Sequence, residues 1–240
     1  MDLSDPTRAV TATLDGTVLA VLAAAGKPLT VGQVAQQAVR GSEIGVRRSL
    51  ARLVEQGIVR ATLMGRNQVH ELNRDHIAAG IADALSDLRP ELWRRLRAEF
   101  SRWRPRPLYA TVFGSAARGD GDESSDIDLL LVHPPFPGEK KPARPNARIS
   151  SQIAEALGEF MASSGEIEAA RQWEEQVDHL RQIVQGWTGN ALQVVDVSFQ
   201  DWRHPHSDSE PLFREVEREG IELMKSRVFT VWPVSRPTHG

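Results

Sequence analysis

The stretch TVFGSAARGDGDESSDIDLLLV, residues 111–132, decides the fold of the second half of this chain. Two apolar segments typical of buried strands flank a Gly-Ser turn and an acidic loop. Asp126 and Asp128 begin the second segment, and residues at positions i and i+2 of a strand point to the same face. Two neighbouring carboxylates repel each other unless a cation lies beside them, so this pattern predicts a divalent-cation site.

The Gly-Ser turn predicts a phosphate-binding element. Gly114 has no side chain, so backbone N–H groups and the Ser115 hydroxyl can approach phosphate oxygens closely. Mg²⁺ binds one or two carboxylates and completes its shell with water and substrate phosphate, and Mn²⁺ is the alternative cation. A phosphate-binding turn next to a carboxylate pair therefore indicates nucleotide chemistry.

A Gly-Ser pair, ten residues, and then Asp-Ile-Asp with apolar flanks resembles the signature of the DNA polymerase β-type nucleotidyltransferase superfamily. The chain looks most like the minimal nucleotidyltransferases, and the resemblance covers residues 105–225. That family pattern includes a third carboxylate on a later strand. The segment LQVVDVSF supplies Asp196 for this place, whereas Asp201 and Glu166 lie in poorer strand contexts.

The resemblance implies an enzyme that transfers a nucleoside monophosphate from a nucleoside triphosphate to a hydroxyl or phosphate acceptor and releases pyrophosphate. Asp126 and Asp128 would bind two Mg²⁺ ions, about 3.5–4 Å apart, that stabilise in-line attack on the α-phosphorus. Asp196 would ligate the catalytic metal and help to deprotonate the acceptor.

The same resemblance assigns roles to the residues of the turn. Gly114 and Ser115 would hold the β- and γ-phosphates, and Arg118 would neutralise phosphate charge. ATP is the favoured nucleoside triphosphate. The acceptor class stays open between RNA, a protein and a small molecule.

Residues 1–74 predict a winged helix-turn-helix domain, because three short helical patterns precede two strands around a Gly-containing turn. The second helix of the motif would span 43–56. Four arginines are the predicted DNA contacts. Arg47, Arg48 and Arg52 lie on this helix outside its stripe of apolar residues, and Arg66 lies in the turn between the two strands, which is the tip of the wing. The alternative is a three-helix packing module whose arginines are merely solvated.

These patterns together predict an α+β protein in three parts. Residues 1–74 form the winged helix and 75–104 a helical connector. Residues 105–240 form a small mixed-sheet nucleotidyltransferase domain with flanking helices, a Pro-rich loop at 134–146, and a C-terminal helix and tail.

Composition excludes several classes of protein. The chain has 240 residues, a net charge of −3 and no cysteine, which excludes a uniformly basic nucleic-acid binder, a disulfide framework and a thiolate metal site. The first 75 residues nevertheless hold nine Lys or Arg against seven Asp or Glu. The absence of a long apolar run and of a signal-peptide pattern predicts a soluble cytoplasmic protein without a membrane partner.

Two functions from different classes remain. The first is a Mg²⁺-dependent nucleotidyltransferase coupled to DNA binding. The second is a transcriptional regulator that uses a catalytically silent nucleotidyltransferase domain as a nucleotide sensor. A template-dependent polymerase is disfavoured because the chain lacks an obvious extra basic domain to hold a duplex. A winged helix is also compatible with a homodimer that reads paired half-sites.

Overall fold

The computed structural model describes residues 1–136, 166–203 and 210–227. The fold is α+β and divides into two compact units. The first unit consists of Met1–Leu92 and Asp120–Ser124, and the second of Trp93–Gly119 and Ser125–Gly240. The division falls inside the segment predicted as a connector. Most of the predicted Pro-rich loop and the predicted tail lie outside the described residues.

The first unit contains the three helices and the hairpin predicted for residues 1–74. A short 3-10 turn precedes them, and a fourth helix follows. The elements are Pro6–Ala9, α1 (Leu14–Ala25), β1 (Leu29–Thr30), α2 (Val31–Gln37), α3 (Glu43–Glu55), β2 (Val59–Met64), β3 (Asn67–Leu72) and α4 (Ala79–Ser86). Strand β3 pairs antiparallel with both β1 and β2. The sequence analysis missed β1, because two residues are too short to show an alternating pattern.

Local capping explains where two helices of this unit, α2 and α3, begin. Thr30 and Gln33 form a reciprocal capping box at the start of α2. The Ser42 hydroxyl accepts a hydrogen bond from the Gly45 N–H at 3.2 Å and caps α3. The apolar stripe predicted for α3 is buried at three positions, Val46, Leu50 and Leu53.

The N-terminal segment is held in the first unit by a buried carboxylate that the sequence patterns did not reveal. Asp5 is 4% exposed and accepts hydrogen bonds from the Thr7 and Thr17 hydroxyls and from Arg40 Nε. Burial alone would raise the pKa of Asp5, but these bonds outweigh it and hold the pKa below its ordinary value. The ionised carboxylate is therefore a structural part of this unit.

The second unit is built on a four-stranded mixed sheet. Its elements are α5 (Leu88–Arg102, which contains the division), β4 (Tyr109–Phe113), α6 (Gly114–Arg118), β5 (Ile127–His133), α7 (Glu166–Thr188), β6 (Leu192–Ser198), α8 (Phe199–Arg203), α9 (Glu210–Glu219) and β7 (Ile221–Lys225). The strand order is β6-β5-β4-β7. Strand β5 is antiparallel to β4 and parallel to β6.

The two faces of this sheet contact different elements. On one face, Leu130 and Val132 belong to a buried cluster that also contains residues of α8 and α9. The largest side chains of this cluster are Phe199, Trp202 and Phe213. The alternate residues of β5 point the other way, toward α7, where the Trp173 ring lies 5.8 Å from the His133 ring. Because side chains alternate along a strand, residues of β5 or of β6 that are an even number of positions apart lie on the same face of the sheet.

Among the residues that the structure describes, no helix combines the length and the apolar character needed to cross a membrane.

Candidate functional site

The Gly-Ser turn and the aspartate pair meet at one end of the β4–β5 ladder. Phe113, the last residue of β4, pairs with Asp128 of β5, and Gly114 follows directly. Gly114 has a φ of +66°, and a Cβ atom built on it would overlap Asp128 Oδ2. A side chain at position 114 is therefore excluded twice, by the backbone conformation and by the carboxylate.

The two aspartates differ in exposure. Asp126 is exposed and directly precedes β5, Ile127 is fully buried, and Asp128 is half-buried. Burial raises the pKa of Asp128, and the negative charges of Asp126 and Glu215 raise it further, while Arg118 acts in the opposite direction. The site therefore concentrates negative charge that a bound cation would stabilise.

Arg118 already has carboxylate partners. Its Nη1 lies 2.6 Å from Glu219 Oε1 and 3.4 Å from Glu215 Oε1, both on α9. The hydrogen bond from Arg118 lowers the pKa of Glu219. The sequence analysis missed these glutamates, because 97 and 101 residues separate them from Arg118. Ser115 is partly exposed in α6, next to Gly114.

The structure does not bring Asp196 together with the aspartate pair, which corrects the expected placement. Strand β6 pairs in parallel with β5 so that Asp196 lies beside Leu131, three residues beyond Asp128. That offset corresponds to about 10 Å along the strand and to the opposite face of the sheet. On that face Asp196 Oδ2 accepts a hydrogen bond of 2.7 Å from Trp173 Nε1.

Gln193 occupies the position that was expected for the third carboxylate. It is the partner of Asp128 in the β5–β6 register, and its Nε2 donates a hydrogen bond of 3.2 Å to Asp126 Oδ2. Alternation in LQVVDVSF places Gln193 and Asp196 on opposite faces of β6. The sequence pattern carries no signal for which of the two faces meets Asp128.

The donor set beside the Gly-Ser turn fits a small oxygen-preferring cation. Asp126 and Asp128 supply carboxylate oxygens, and Mg²⁺ is commonly held by one or two carboxylates together with water and phosphate. Within residues 1–136, 166–203 and 210–227, no group of three or more His, Cys, Asp or Glu residues is arranged to hold a metal ion. Asp126 and Asp128 are the residues of this site that could hold a cation.

The four predicted DNA-contacting arginines lie in different environments. Arg47 forms an exposed ion pair of 3.0 Å with Glu43, and Arg52 forms an ion pair with Asp15 of α1. Asp15 is desolvated by burial, yet hydrogen bonds led by the one from Arg52 lower its pKa. Arg48 is exposed on α3, and Arg66 is exposed in the turn between β2 and β3.

Comparison with known families identifies the region that contains the aspartate pair. Residues 91–183 match the model of the nucleotidyltransferase domain. The match covers less than half of the chain and includes the Gly-Ser turn, Asp126 and Asp128, and it ends before β6. It confirms the predicted nucleotidyltransferase domain in this region and supports a transferase. No curated protein matches the chain.

Proposed function

We propose that this protein is a Mg²⁺-dependent nucleotidyltransferase that moves a nucleoside monophosphate from a nucleoside triphosphate to a hydroxyl or phosphate acceptor. The observation that carries the proposal is the close approach of Gly114 to the Asp128 carboxylate inside the matched region. This approach supports the proposal because the turn that would bind phosphate lies directly beside the carboxylate pair that would bind a cation. ATP is the favoured donor, and Mn²⁺ is the alternative cation.

Each residue of the site has a distinct role in the proposed reaction. Asp126 and Asp128 would hold the divalent cations, which supply stabilisation of charge on the α-phosphate and on the leaving pyrophosphate. The backbone of Gly114 and the Ser115 hydroxyl would bind the β- and γ-phosphates. The acceptor oxygen forms a bond to the α-phosphorus as the bond between this phosphorus and the pyrophosphate oxygen breaks, and a hydroxyl acceptor releases its proton to water.

Arg118 would bind phosphate by exchanging a carboxylate partner for a phosphate oxygen. Its guanidinium has the planar set of donors that matches phosphate, and Glu219 holds it at the end of α6, four residues after Gly114. In the absence of nucleotide, Glu219 and Glu215 supply the negative charge beside Arg118. When the triphosphate binds, its phosphate oxygens would supply that charge instead.

A pyrophosphate-release and label-transfer assay tests the proposal. The purified chain is incubated with Mg²⁺, with each α-labelled nucleoside triphosphate in turn, and with RNA, protein extract or small-molecule acceptors. We expect label to enter one acceptor class and Asp128→Asn to abolish the transfer. Asp178→Asn is the matched control, because it makes the same change at an exposed ion-paired aspartate of α7. Equal activity of Asp128→Asn and the wild type would refute the proposal.

The first unit is proposed to be a winged helix that binds DNA. Its order of helices and strands and its antiparallel β1-β3-β2 sheet support this assignment. Arg48 and Arg66 are the stronger candidates for phosphate contacts, since Arg47 and Arg52 already pair with acidic residues. A second copy of the chain would allow two half-sites to be read.

DNA binding is tested by measuring affinity for mixed-sequence and promoter DNA as a function of salt. Arg48→Ala and Arg66→Ala are each expected to reduce the salt slope by about 1. Arg60→Ala is the control, because Arg60 is an exposed arginine that pairs with Asp75 and is not among the proposed contacts. Binding that does not depend on salt, or no binding at all, would favour the packing module over a DNA-binding domain.

A second candidate function is a regulator that binds nucleotide without turning it over. The observation that favours it is the position of Asp196, which leaves an amide rather than a third carboxylate beside the pair. The sensor predicts saturable nucleotide binding without pyrophosphate release and a change in DNA affinity when nucleotide binds. The transfer assay separates it from the enzyme.

A further inference from the structure

We propose that Gln193 is a positioning residue that holds Asp126 in place for the cation, at the point of the sheet where a third carboxylate would otherwise act. The inference rests on the proposed function, since it concerns the same cation site. The central observation is the hydrogen bond between Gln193 and Asp126, which adds a third polar side chain to the two carboxylates of the site.

The strand register puts Gln193 directly beside Asp128. Gln193 is the register partner of Asp128, and neighbouring strands lie about 4.8 Å apart. Val195 and Val197, two and four residues further along β6, pack against the buried cluster that contains Leu130 and Val132. Gln193 therefore shares the sheet face of Asp128, while Asp196 belongs to the other face.

The chemistry of the contact fixes which end of the amide meets Asp126. An ionised carboxylate only accepts hydrogen bonds, so the NH₂ group of Gln193 must be the end that faces Asp126 Oδ2, as observed. This bond engages one oxygen of Asp126 and leaves the other for a cation. Because Asp126 is exposed, the same bond also restricts a side chain that would otherwise sample several rotamers.

A neutral residue at this position suits a site that already carries excess negative charge. Asp126 and Asp128 already place two carboxylates on one face of the same chain segment. A carboxylate at position 193 would add a further repulsive charge whenever no cation is bound. The amide instead donates a hydrogen bond to Asp126 and adds no charge to the pair.

Cation binding by the full chain without nucleotide tests the proposal separately from catalysis. Binding of Mn²⁺ is measured by calorimetry for the wild type, Gln193→Ala and Gln193→Glu. Partners that orient metal ligands contribute about 10–100-fold to metal affinity, so Gln193→Ala is expected to weaken Mn²⁺ binding by about 10-fold. Gln193→Glu is expected to bind Mn²⁺ more tightly than the wild type, because it adds a third carboxylate.

Gln172→Ala is the matched control. It removes a partly exposed glutamine of the same unit whose Nε2 donates to the Glu168 carboxylate at 3.1 Å, a bond of the same type on α7. Its Mn²⁺ affinity should equal that of the wild type. Gln193 is itself exposed on its strand, so both Gln193 variants are expected to fold, which thermal unfolding verifies.

The outcomes distinguish this inference from the proposed function. Wild-type affinity for Mn²⁺ in Gln193→Ala would overturn the role of Gln193 and leave the cation site intact. Tighter binding by Gln193→Ala would overturn it as well. If the wild type itself binds no Mn²⁺, or if Asp128→Asn binds it equally well, the cation site of the proposed function fails and the inference fails with it.

Discussion

The Asp128 carboxylate occupies the space where a side chain at Gly114 would lie. The turn that would bind phosphate and the strand that would bind the cation are thus in direct contact. A side chain added at position 114 would displace the Asp128 carboxylate, so one substitution at this position tests both the turn and the cation site.

Gly114→Ala is expected to destabilise the second unit and to abolish transfer. The methyl group overlaps the carboxylate, and φ is positive. Gly65→Ala is the matched control, because Gly65 has a φ of +63° and no atom near the added Cβ. The control should cost about 1 kcal/mol for the backbone conformation alone. Gly114→Ala should cost a further 1–3 kcal/mol or so from the overlap, as measured by urea unfolding. Equal losses in the two variants would contradict the contact.

Asp196→Asn is expected to transfer nucleotide at a rate within about threefold of the wild type, a change typical of a residue outside the reacting centre. The asparagine oxygen can still accept the hydrogen bond from Trp173 Nε1, so the packing of α7 on the sheet should persist. Asp128→Asn should lose more than about 100-fold, since even residues that only orient a metal ligand contribute 10–100-fold. Steady-state rates of pyrophosphate release compare the two. If the Asp196→Asn variant folds but is inactive, Asp196 takes part in the reaction and the prediction is wrong.

Glu219→Gln is expected to tighten binding of the nucleoside triphosphate by roughly threefold, as for removal of a partly exposed charge. The substitution removes a negative charge that competes with phosphate for Arg118. Glu217→Gln is the control, because it removes the same charge from the same helix about 200° around its axis. Equilibrium binding of a non-hydrolysable triphosphate measures the effect. Weaker binding by Glu219→Gln would mean that Glu219 orients Arg118 instead of competing with phosphate.

Asp5→Ala is expected to destabilise the first unit by about 3 kcal/mol at neutral pH, because it leaves Arg40 and two hydroxyls without their buried acceptor. The folded pKa of Asp5 lies below its unfolded value, which is about 3.9. Its contribution is therefore complete above that value and is lost as the pH falls through the folded pKa.

Urea unfolding at pH 7 and at pH 3 measures this dependence. The difference in stability between the wild type and Asp5→Ala should shrink at the lower pH. Ser86→Ala is the control, because it removes a hydroxyl of the same unit that donates its hydrogen bond to the backbone carbonyl of Asp83, a group that does not titrate. A difference that stays constant with pH would show that Asp5 contributes by packing and not as an ionised group.

Local signals account for what could be predicted about the fold. Ser42 before α3, the continuous apolar run after Asp128, and a glycine at position 114 each act through neighbours a few residues away. Such signals lie in consecutive residues, so the three α-helices of residues 1–74 and the central strands were predicted. A turn was predicted at Gly114 and Ser115, where the structure has the first residues of helix α6. The short strands β1 and β7 were missed because their pairing with β3 and β4, and not their own composition, makes them strands. The sequence pattern had placed residues 221–224 at the end of the C-terminal helix, which in the structure ends at Glu219.

Distant pairing accounts for what could not be predicted about the site. Arg118 meets Glu219 across 101 residues, and Asp5 meets Arg40 across 35. Neither contact has a periodic pattern that would reveal it. In the same way, LQVVDVSF reads equally well with Gln193 or with Asp196 facing the aspartate pair.

The sequence by itself determined the Gly-Ser turn, the aspartate pair and the strand that carries Asp128, because spacing along one chain segment sets these features. Only the tertiary structure decided that Gln193 and not Asp196 lies beside the pair. The physical reason is that side chains alternate along a strand, so the spacing between two residues of one strand determines whether they share a face. Which residue of another strand lies beside them depends on the register with that strand, which is more than 60 residues away in the sequence.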